Sequence, residues 1–212
     1  MTARVLTVAQ QKGGAGKTTL LVHLAATWAA DGKRVAVVDI DPQRSASAWY
    51  AARQARLDSG DPGLTLIQAN GWRVRTEVAR LREHHDVVLV DSPPHAETES
   101  RVAVRSGDRV LVPVQPSPMD VWATQATLDL ARNEKRPVTV VLNRVPSRAT
   151  LTESMRQMLD DSGAEIAGSV LGNRVDFAAA LVEGWGVREA KPKSRASREI
   201  GALARELWQR MD

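Results

Sequence analysis

Two lysines bracket a short glycine-rich run, Lys12-Gly13-Gly14-Ala15-Gly16-Lys17-Thr18-Thr19. Glycines let consecutive backbone N–H groups curl around anionic oxygens with no Cβ in the way. A helix starting directly after such a run adds unpaired N–H donors and a positive dipole end. The residue types and their order fit a phosphate-cradling loop, with Lys17 reaching the β- and γ-phosphates of a nucleotide and the Thr18 hydroxyl completing a Mg²⁺ shell. Gly13, Gly14, Ala15, Gly16, Lys17, Thr18 and Thr19 are therefore the expected nucleotide-binding residues. Lys12 has no such part in the general pattern, where nothing requires that position to be basic.

Three aspartates stand where a metal–nucleotide site would need oxygen ligands. Asp39 and Asp41 lie in Val37-Val38-Asp39-Ile40-Asp41-Pro42-Gln43, and Asp91 ends Val87-Val88-Leu89-Val90-Asp91 ahead of Ser92-Pro93-Pro94. Carboxylates so placed bind metal-coordinated water or orient an attacking water. An aspartate at a strand end also caps helices and forms turns, so each has a purely structural reading as well. Pro93 and Pro94 stiffen the backbone after Asp91, which suits a hinge.

To hold these groups together, the chain needs strands that all end on one side. Near-continuous apolar runs at Val5–Ala9, Val35–Asp39, Leu64–Gln68, Val87–Asp91, Val110–Val114 and Val138–Asn143 have the pattern of strands buried on both faces. Between them, helices are expected at Thr18–Ala30, Ser45–Leu57, Trp72–Glu83, Met119–Arg132 and Thr150–Asp161. Asp31-Gly32-Lys33 stops the first helix through a left-handed glycine, and Asp61-Pro62-Gly63 punctuates the approach to the third strand. The alternation predicts a doubly wound α/β fold with a mostly parallel sheet, whose ligands bind beyond the carboxyl ends of the strands. Past Asp161 the pattern suggests a strand at Ile166–Val170, a short helix at Asp176–Glu183 and a terminal helix at Ser197–Met211. The 212 residues suffice for one domain spanning 1–212.

Hydrophobic residues make up 43% and charged residues 25% of the chain, the balance of a globular protein. Cysteine is absent, which excludes disulfides and thiolate metal sites and suits a reducing cytoplasm. No apolar run approaches the roughly 20 residues that span a bilayer, and no signal-peptide pattern opens the chain. A cytoplasmic location is expected. The four histidines show no metal-ligand spacing.

The lysine-flanked loop resembles the deviant phosphate loop of the ParA/MinD family of ATPases, in which the first lysine is the signature residue. The D-x-D-P-Q and D-S-P-P segments resemble two further motifs of that family, and the likeness runs from Val5 to about Asn143. It implies ATP and Mg²⁺ as cofactors and a nucleotide-sandwich homodimer, with Lys12 of one subunit reaching phosphates held by the other. By position, Lys12, Lys17 and Asp41 would be catalytic, Asp41 orienting the hydrolytic water. Asp39 and Asp91 would act on the Mg²⁺ shell through water, beside the direct ligand Thr18. Asn143 stands where GTP-binding loop proteins carry Asn-Lys-x-Asp; without that aspartate ATP is favoured. Asn143 either meets the adenine edge or ties down its own turn. Val112-Pro113-Val114-Gln115-Pro116-Ser117-Pro118-Met119-Asp120 resembles the family's proline-rich loop, where Ser117 or Asp120 can also start a helix; neither is assigned a catalytic role.

Family members divide into those that bind DNA nonspecifically and those that bind membranes. The terminal segment places Ile200, Leu203, Ala204, Leu207 and Met211 at helical spacing, but its polar face mixes both charge signs. A core-packed helix is expected there rather than a membrane anchor. Ahead of it, Arg188, Lys191, Lys193, Arg195 and Arg198 form a basic cluster in what reads as a loop leading into that helix. It is either a solvated charged loop or a surface for DNA phosphates, and the resemblance favours DNA. Only eleven residues precede Lys12, so the small, ParF-like type is expected, partnered by a centromere-binding or cargo-adaptor protein and nucleoid-associated. A MinD-like membrane role and a small biosynthetic ATPase are the alternatives. Trp49 and Trp122 are candidate subunit contacts.

Overall fold

The computed structural model describes residues 3–57, 63–94, 97–147 and 150–211; the expected turn at Asp61-Pro62 lies outside them. Seven strands alternate with helices along the chain. They are β1 (Arg4–Val8), β2 (Val35–Asp39), β3 (Thr65–Gln68), β4 (Val87–Asp91), β5 (Arg109–Val114), β6 (Val138–Leu142) and β7 (Glu165–Ile166). All pair in parallel, in the spatial order β3-β2-β4-β1-β5-β6-β7. The order reverses at β1, which lies between β4 and β5, and a crevice for ligands is expected at such a switch point.

The apolar runs of β2 and β4 are buried at every position, as strands covered on both faces must be. β3 departs from that expectation. Its Thr65 and Gln68 are exposed because it forms the sheet edge, with a neighbour on one side only. β7 is shorter than expected, two residues where Ile166–Val170 was the forecast.

Helix α1 (Lys17–Ala30) packs its whole length into the core, from Leu20 to Trp28. It ends in a Schellman motif: Gly32, at φ +78°, donates to Ala29 O, and Lys33 N–H donates to Trp28 O. The expected helices are present as α2 (Ser45–Arg56), α3 (Arg73–Arg82), α5 (Pro118–Asn133), α6 (Thr150–Asp161) and α7 (Val175–Leu181). Two short or polar helices were not foreseen, α4 (Glu97–Ser106) and α8 (Val187–Ala190).

The terminal helix α9 (Arg195–Arg210) lays its apolar face against α1. Ile200, Leu203 and Leu207 are fully buried, each contributing about 1.5–3 kcal/mol relative to exposure. Trp28 Nε1 donates to Ala204 O, and the Arg4 guanidinium and the Lys33 ammonium both lie over the Trp208 ring, 4.0 and 4.7 Å from its centroid. That apolar face is thus spent internally, as expected. Among the described residues no helix is long and apolar enough to cross a membrane.

Helix α8 is held by a buried guanidinium. Arg53 of α2, only 5% exposed, makes a two-pronged bond to Glu189 at 2.7 and 2.8 Å and donates to Gly184 O. Trp49 is buried beside it and donates to Trp185 O, packing within the core of its own chain. Trp122 is 62% exposed.

Candidate nucleotide site

The phosphate loop joins β1 to α1. Its path depends on left-handed backbone at Gly14 (φ +76°) and Gly16 (φ +87°). Gly16 is doubly required, since a Cβ there would stand 2.8 Å from Asn143 Nδ2. No side chain caps the start of α1, which leaves its first N–H groups free for an anion. Gly14, Gly16, Lys17, Thr18 and Thr19 line a cavity of about 570 Å³ together with Asp41, Ser45, Trp49, Pro94 and Arg144.

Lys17 is buried, and desolvation lowers its pKa while Asp91 and Asp41 oppose the shift. Thr18 donates its hydroxyl hydrogen to Asp91 Oδ2 at 2.7 Å. Asp91 is completely buried at the end of β4, and burial pushes its carboxyl up to about 7 against the Thr18 hydrogen bond. Its second oxygen, Oδ1, is buried with no hydrogen-bond partner. A hydroxyl and an under-bonded carboxylate form a hard-oxygen set that fits Mg²⁺. Among the described residues no cluster of three or more acidic, histidine or cysteine side chains could hold a metal. A Mg²⁺ here would thus depend on nucleotide phosphates and water, its usual mode.

Asp39 and Asp41 do different work despite their spacing. Asp41 faces the phosphate cavity, with Oδ1 accepting from Gln43 N–H in a local turn. Asp39 accepts from Ser47 N–H (2.9 Å), Ser47 Oγ (2.6 Å) and Asp41 N–H (3.2 Å) and does not line that cavity. It serves as the N-terminal cap of α2, whose own N-cap position is a left-handed Arg44 with no side-chain bond. Asp39 therefore positions the segment that carries Asp41.

Asn143 supports the loop. Its Nδ2 donates to Ala15 O at 2.9 Å and its Oδ1 accepts from Arg144 N–H at 3.0 Å. The neighbouring Arg144, at φ +54°, donates to Gly14 O at 3.0 Å, and Gln115 Nε2 donates to the same oxygen at 3.3 Å. Neither Arg144 nor Gln115 stands out in the sequence, since each meets the loop across more than a hundred residues. A second cavity of about 410 Å³ adjoins the loop, lined by Thr19, His23, Asn143, Arg144, Asn173 and Phe177 among others.

Lys12 is absent from both cavity linings. Its ammonium lies 2.8 Å from Asp120 Oδ2 on α5. Ser117 is the N-cap of that helix, accepting from Asp120 N–H.

The basic cluster is not the loop that the sequence suggests. Arg188 lies in α8, Lys191 and Lys193 in the turn that follows, and Arg195 and Arg198 in the first turn of α9. Arg188 pairs with Asp31, Lys191 with Asp176 and Arg195 with Glu199. Lys193 and Arg198 have no carboxylate partner among the described residues, and Arg198 donates to Lys193 O.

Comparison with known proteins agrees with this geometry. The model of the CobQ/CobB/MinD/ParA nucleotide binding domain matches residues 6–186. Maintenance of carboxysome distribution protein A from Halothiobacillus neapolitanus is 29% identical, the alignment covering 97% of this chain and 96% of that protein. Chromosome-partitioning ATPase Soj from Thermus thermophilus is also 29% identical, over 98% and 96%. In structure, MinD of Aquifex aeolicus superposes with a TM-score of 0.82 at 22% identity, covering 98% of both chains. An ATP complex of McdA from Cyanothece gives 0.82 at 16%, over 98% of this chain and 97% of that one. A seven-stranded parallel sheet, a phosphate loop flanked by two lysines and a family match over most of the length lead to one assignment: the chain belongs to the ParA/MinD family of P-loop ATPases, whose general activity is ATP hydrolysis.

Proposed function

We propose that this protein is a ParA-type switch that dimerises around Mg-ATP, binds DNA without sequence preference and positions a cargo with a partner protein that stimulates hydrolysis. The observation that carries the reading is the placement of Lys12. It sits at the rim of the phosphate loop yet lines neither cavity of its own chain. A cation so placed is available to a nucleotide held by a second copy.

In this reading Lys17 and the free N–H groups of α1 hold the β- and γ-phosphates. Thr18 and Asp91 would hold the shell of a bound Mg²⁺, which would supply charge neutralisation at the terminal phosphates. Asp41 orients a water for in-line attack, and Asp39 fixes the segment that presents Asp41. Lys12 from the opposite subunit stabilises the same developing charge. The adenine takes the 410 Å³ cavity beside Asn143 and Asn173.

Support for DNA comes from Arg188, Lys191, Lys193, Arg195 and Arg198. The ion pairs of Arg188, Lys191 and Arg195 lie at the surface and are worth at most about 1 kcal/mol each, so a phosphate backbone competes for them. The carboxysome-distribution relative favours a protein assembly as cargo, and a nucleoid location follows from the DNA reading.

Sedimentation with ATP, ADP or no nucleotide, repeated with DNA and with Lys12→Ala, tests the reading. The expected result is an ATP-dependent dimer that is lost in the variant and that binds DNA less tightly as salt rises. A monomer under all conditions, or salt-independent DNA retention, would overturn it.

A further inference from the structure

One wall of the 410 Å³ cavity is held from behind by the terminal helix. Glu199 of α9, its side chain 14% exposed, accepts from Gly172 N–H at 3.0 Å. It also takes both prongs of Arg174, Nη2 to Oε1 at 2.8 Å and Nε to Oε2 at 3.4 Å. Gly172 and Arg174 line the cavity, as does Ile200, the next residue of α9. A Cβ on Gly172 would stand 2.6–2.7 Å from three atoms of the Arg174 guanidinium, so only a glycine admits this packing. Arg195 reaches the same Oε1 at 3.3 Å, with its own side chain 70% exposed.

The segment after β7 is also laced to the loop that carries Asn143. Val145 N–H donates to Leu171 O at 2.9 Å, and Asn173 N–H donates to Val145 O at 2.8 Å. These bonds stop short of α7. Arg174 is the N-cap of that helix, and its side chain makes no cap bond. A helix of seven residues has little stability of its own, yet α7 supplies Val175, Phe177, Ala178 and Leu181 to the cavity wall. His23 Nε2 holds Phe177 O at 3.0 Å, and the grip of Glu199 on Arg174 fixes the start of the helix.

We propose that Glu199 is a positioning residue for the nucleotide base: through Gly172 and Arg174 it sets where α7 stands, and so the shape of the cavity that takes adenine. The proposal rests on the placement of adenine in that cavity. A neutral amide at this position still accepts from Gly172 N–H but turns N–H donors toward the guanidinium, which has only donors of its own. The start of α7 is then released. Coupling through a packed network of this kind is on the order of threefold to 30-fold in an equilibrium constant. The phosphate loop is supported separately, by Asn143, Arg144 and Gln115.

Isothermal titration of the full chain with Mg-ADP and, separately, with Mg-pyrophosphate reads the base and phosphate contributions apart. Glu199→Gln should weaken ADP by the stated factor and leave pyrophosphate unchanged. In steady-state hydrolysis the KM for ATP should rise by the same factor at constant kcat, the mark of lost uniform binding. Gly172→Ala keeps every charge, displaces the guanidinium and should reproduce both effects; it carries the test if Glu199→Gln does not melt cooperatively. A loss shared equally by ADP and pyrophosphate, as a merely structural role would give, overturns the proposal. So does an unchanged ADP affinity in either folded variant. Ala178→Trp, which fills the cavity from α7, separates this failure from that of the reading beneath it. If that protein binds ADP like wild type, adenine lies elsewhere; if it loses ADP while Glu199→Gln does not, only the role of Glu199 falls.

Discussion

Thr18 and Asp91 are joined by a 2.7 Å hydrogen bond that ties the first turn of α1 to the end of β4. The bond accounts for one carboxylate oxygen; the other is buried and unpaired, and burial raises the carboxyl pKa to about 7. The unfolded chain ionises this group near its ordinary value, so its contribution to folding is fully present below that value and is lost as pH rises through 7. Asp91→Asn should therefore raise the melting temperature of the nucleotide-free protein at pH 8 by several degrees while abolishing Mg²⁺-dependent ATPase. A lower melting temperature in that variant would contradict the assignment.

Asp41 is the carboxylate facing the phosphate cavity. Asp41→Ala should lower ATP turnover by at least about 100-fold while leaving nucleotide affinity within a few-fold, as expected for a group that orients water rather than holding phosphate. Isothermal titration with the ATP analogue, alongside steady-state hydrolysis, reads both quantities.

Gly16 combines φ +87° with a Cβ position 2.8 Å from Asn143 Nδ2. Gly16→Ala should cost about 1–3 kcal/mol from left-handed backbone and displaced Asn143. Nucleotide affinity should fall more steeply than stability, because the Ala15 carbonyl held by Asn143 moves with it. Denaturant melts compared with binding curves would show that difference.

His23 links α1 to the segment after α7. Its Nδ1 accepts from Val187 N–H, its Nε2 donates to Phe177 O, and burial lowers its pKa to about 4. The unfolded chain protonates this ring near 6.5, so its native contribution is complete above 6.5 and is lost as pH falls toward 4. The expected loss is about 3 kcal/mol. His23→Gln should show a shallower decline in denaturant stability over that window. An identical pH slope in both proteins would count against the role.

What the sequence made legible follows the range of the interactions concerned. Six of the seven strands and the phosphate loop announce themselves because each depends on consecutive residues, apolar runs or glycines at fixed spacing. Helix α4 escaped notice because its buried face is made of small residues, Ser100, Ala103 and Val104, which leave no apolar stripe to detect. Its close approach shows in Thr7 Oγ1 donating to Ala103 O. The different duties of Asp39 and Asp41 were hidden because they depend on Ser47, eight residues from Asp39, turning back in α2. The partnership of Lys12 with Asp120 spans most of the sheet in sequence and exists only once β1 and β5 lie side by side.

Parallel pairing sends every residue of the site to one end of the sheet, and so gives the molecule a free opposite pole. That pole is finished by bonds between segments distant in sequence, such as Arg34 N–H to Asp86 and Val5 N–H to Asp108, and by the contacts of Arg4 and Lys33 with the Trp208 ring. The turn at Lys135, exposed and already left-handed at φ +53°, lies there, between the end of α5 and the start of β6. It offers a point for anchoring a fluorophore or a surface tether, so that binding could be watched on single molecules without burdening the face that carries the phosphate loop.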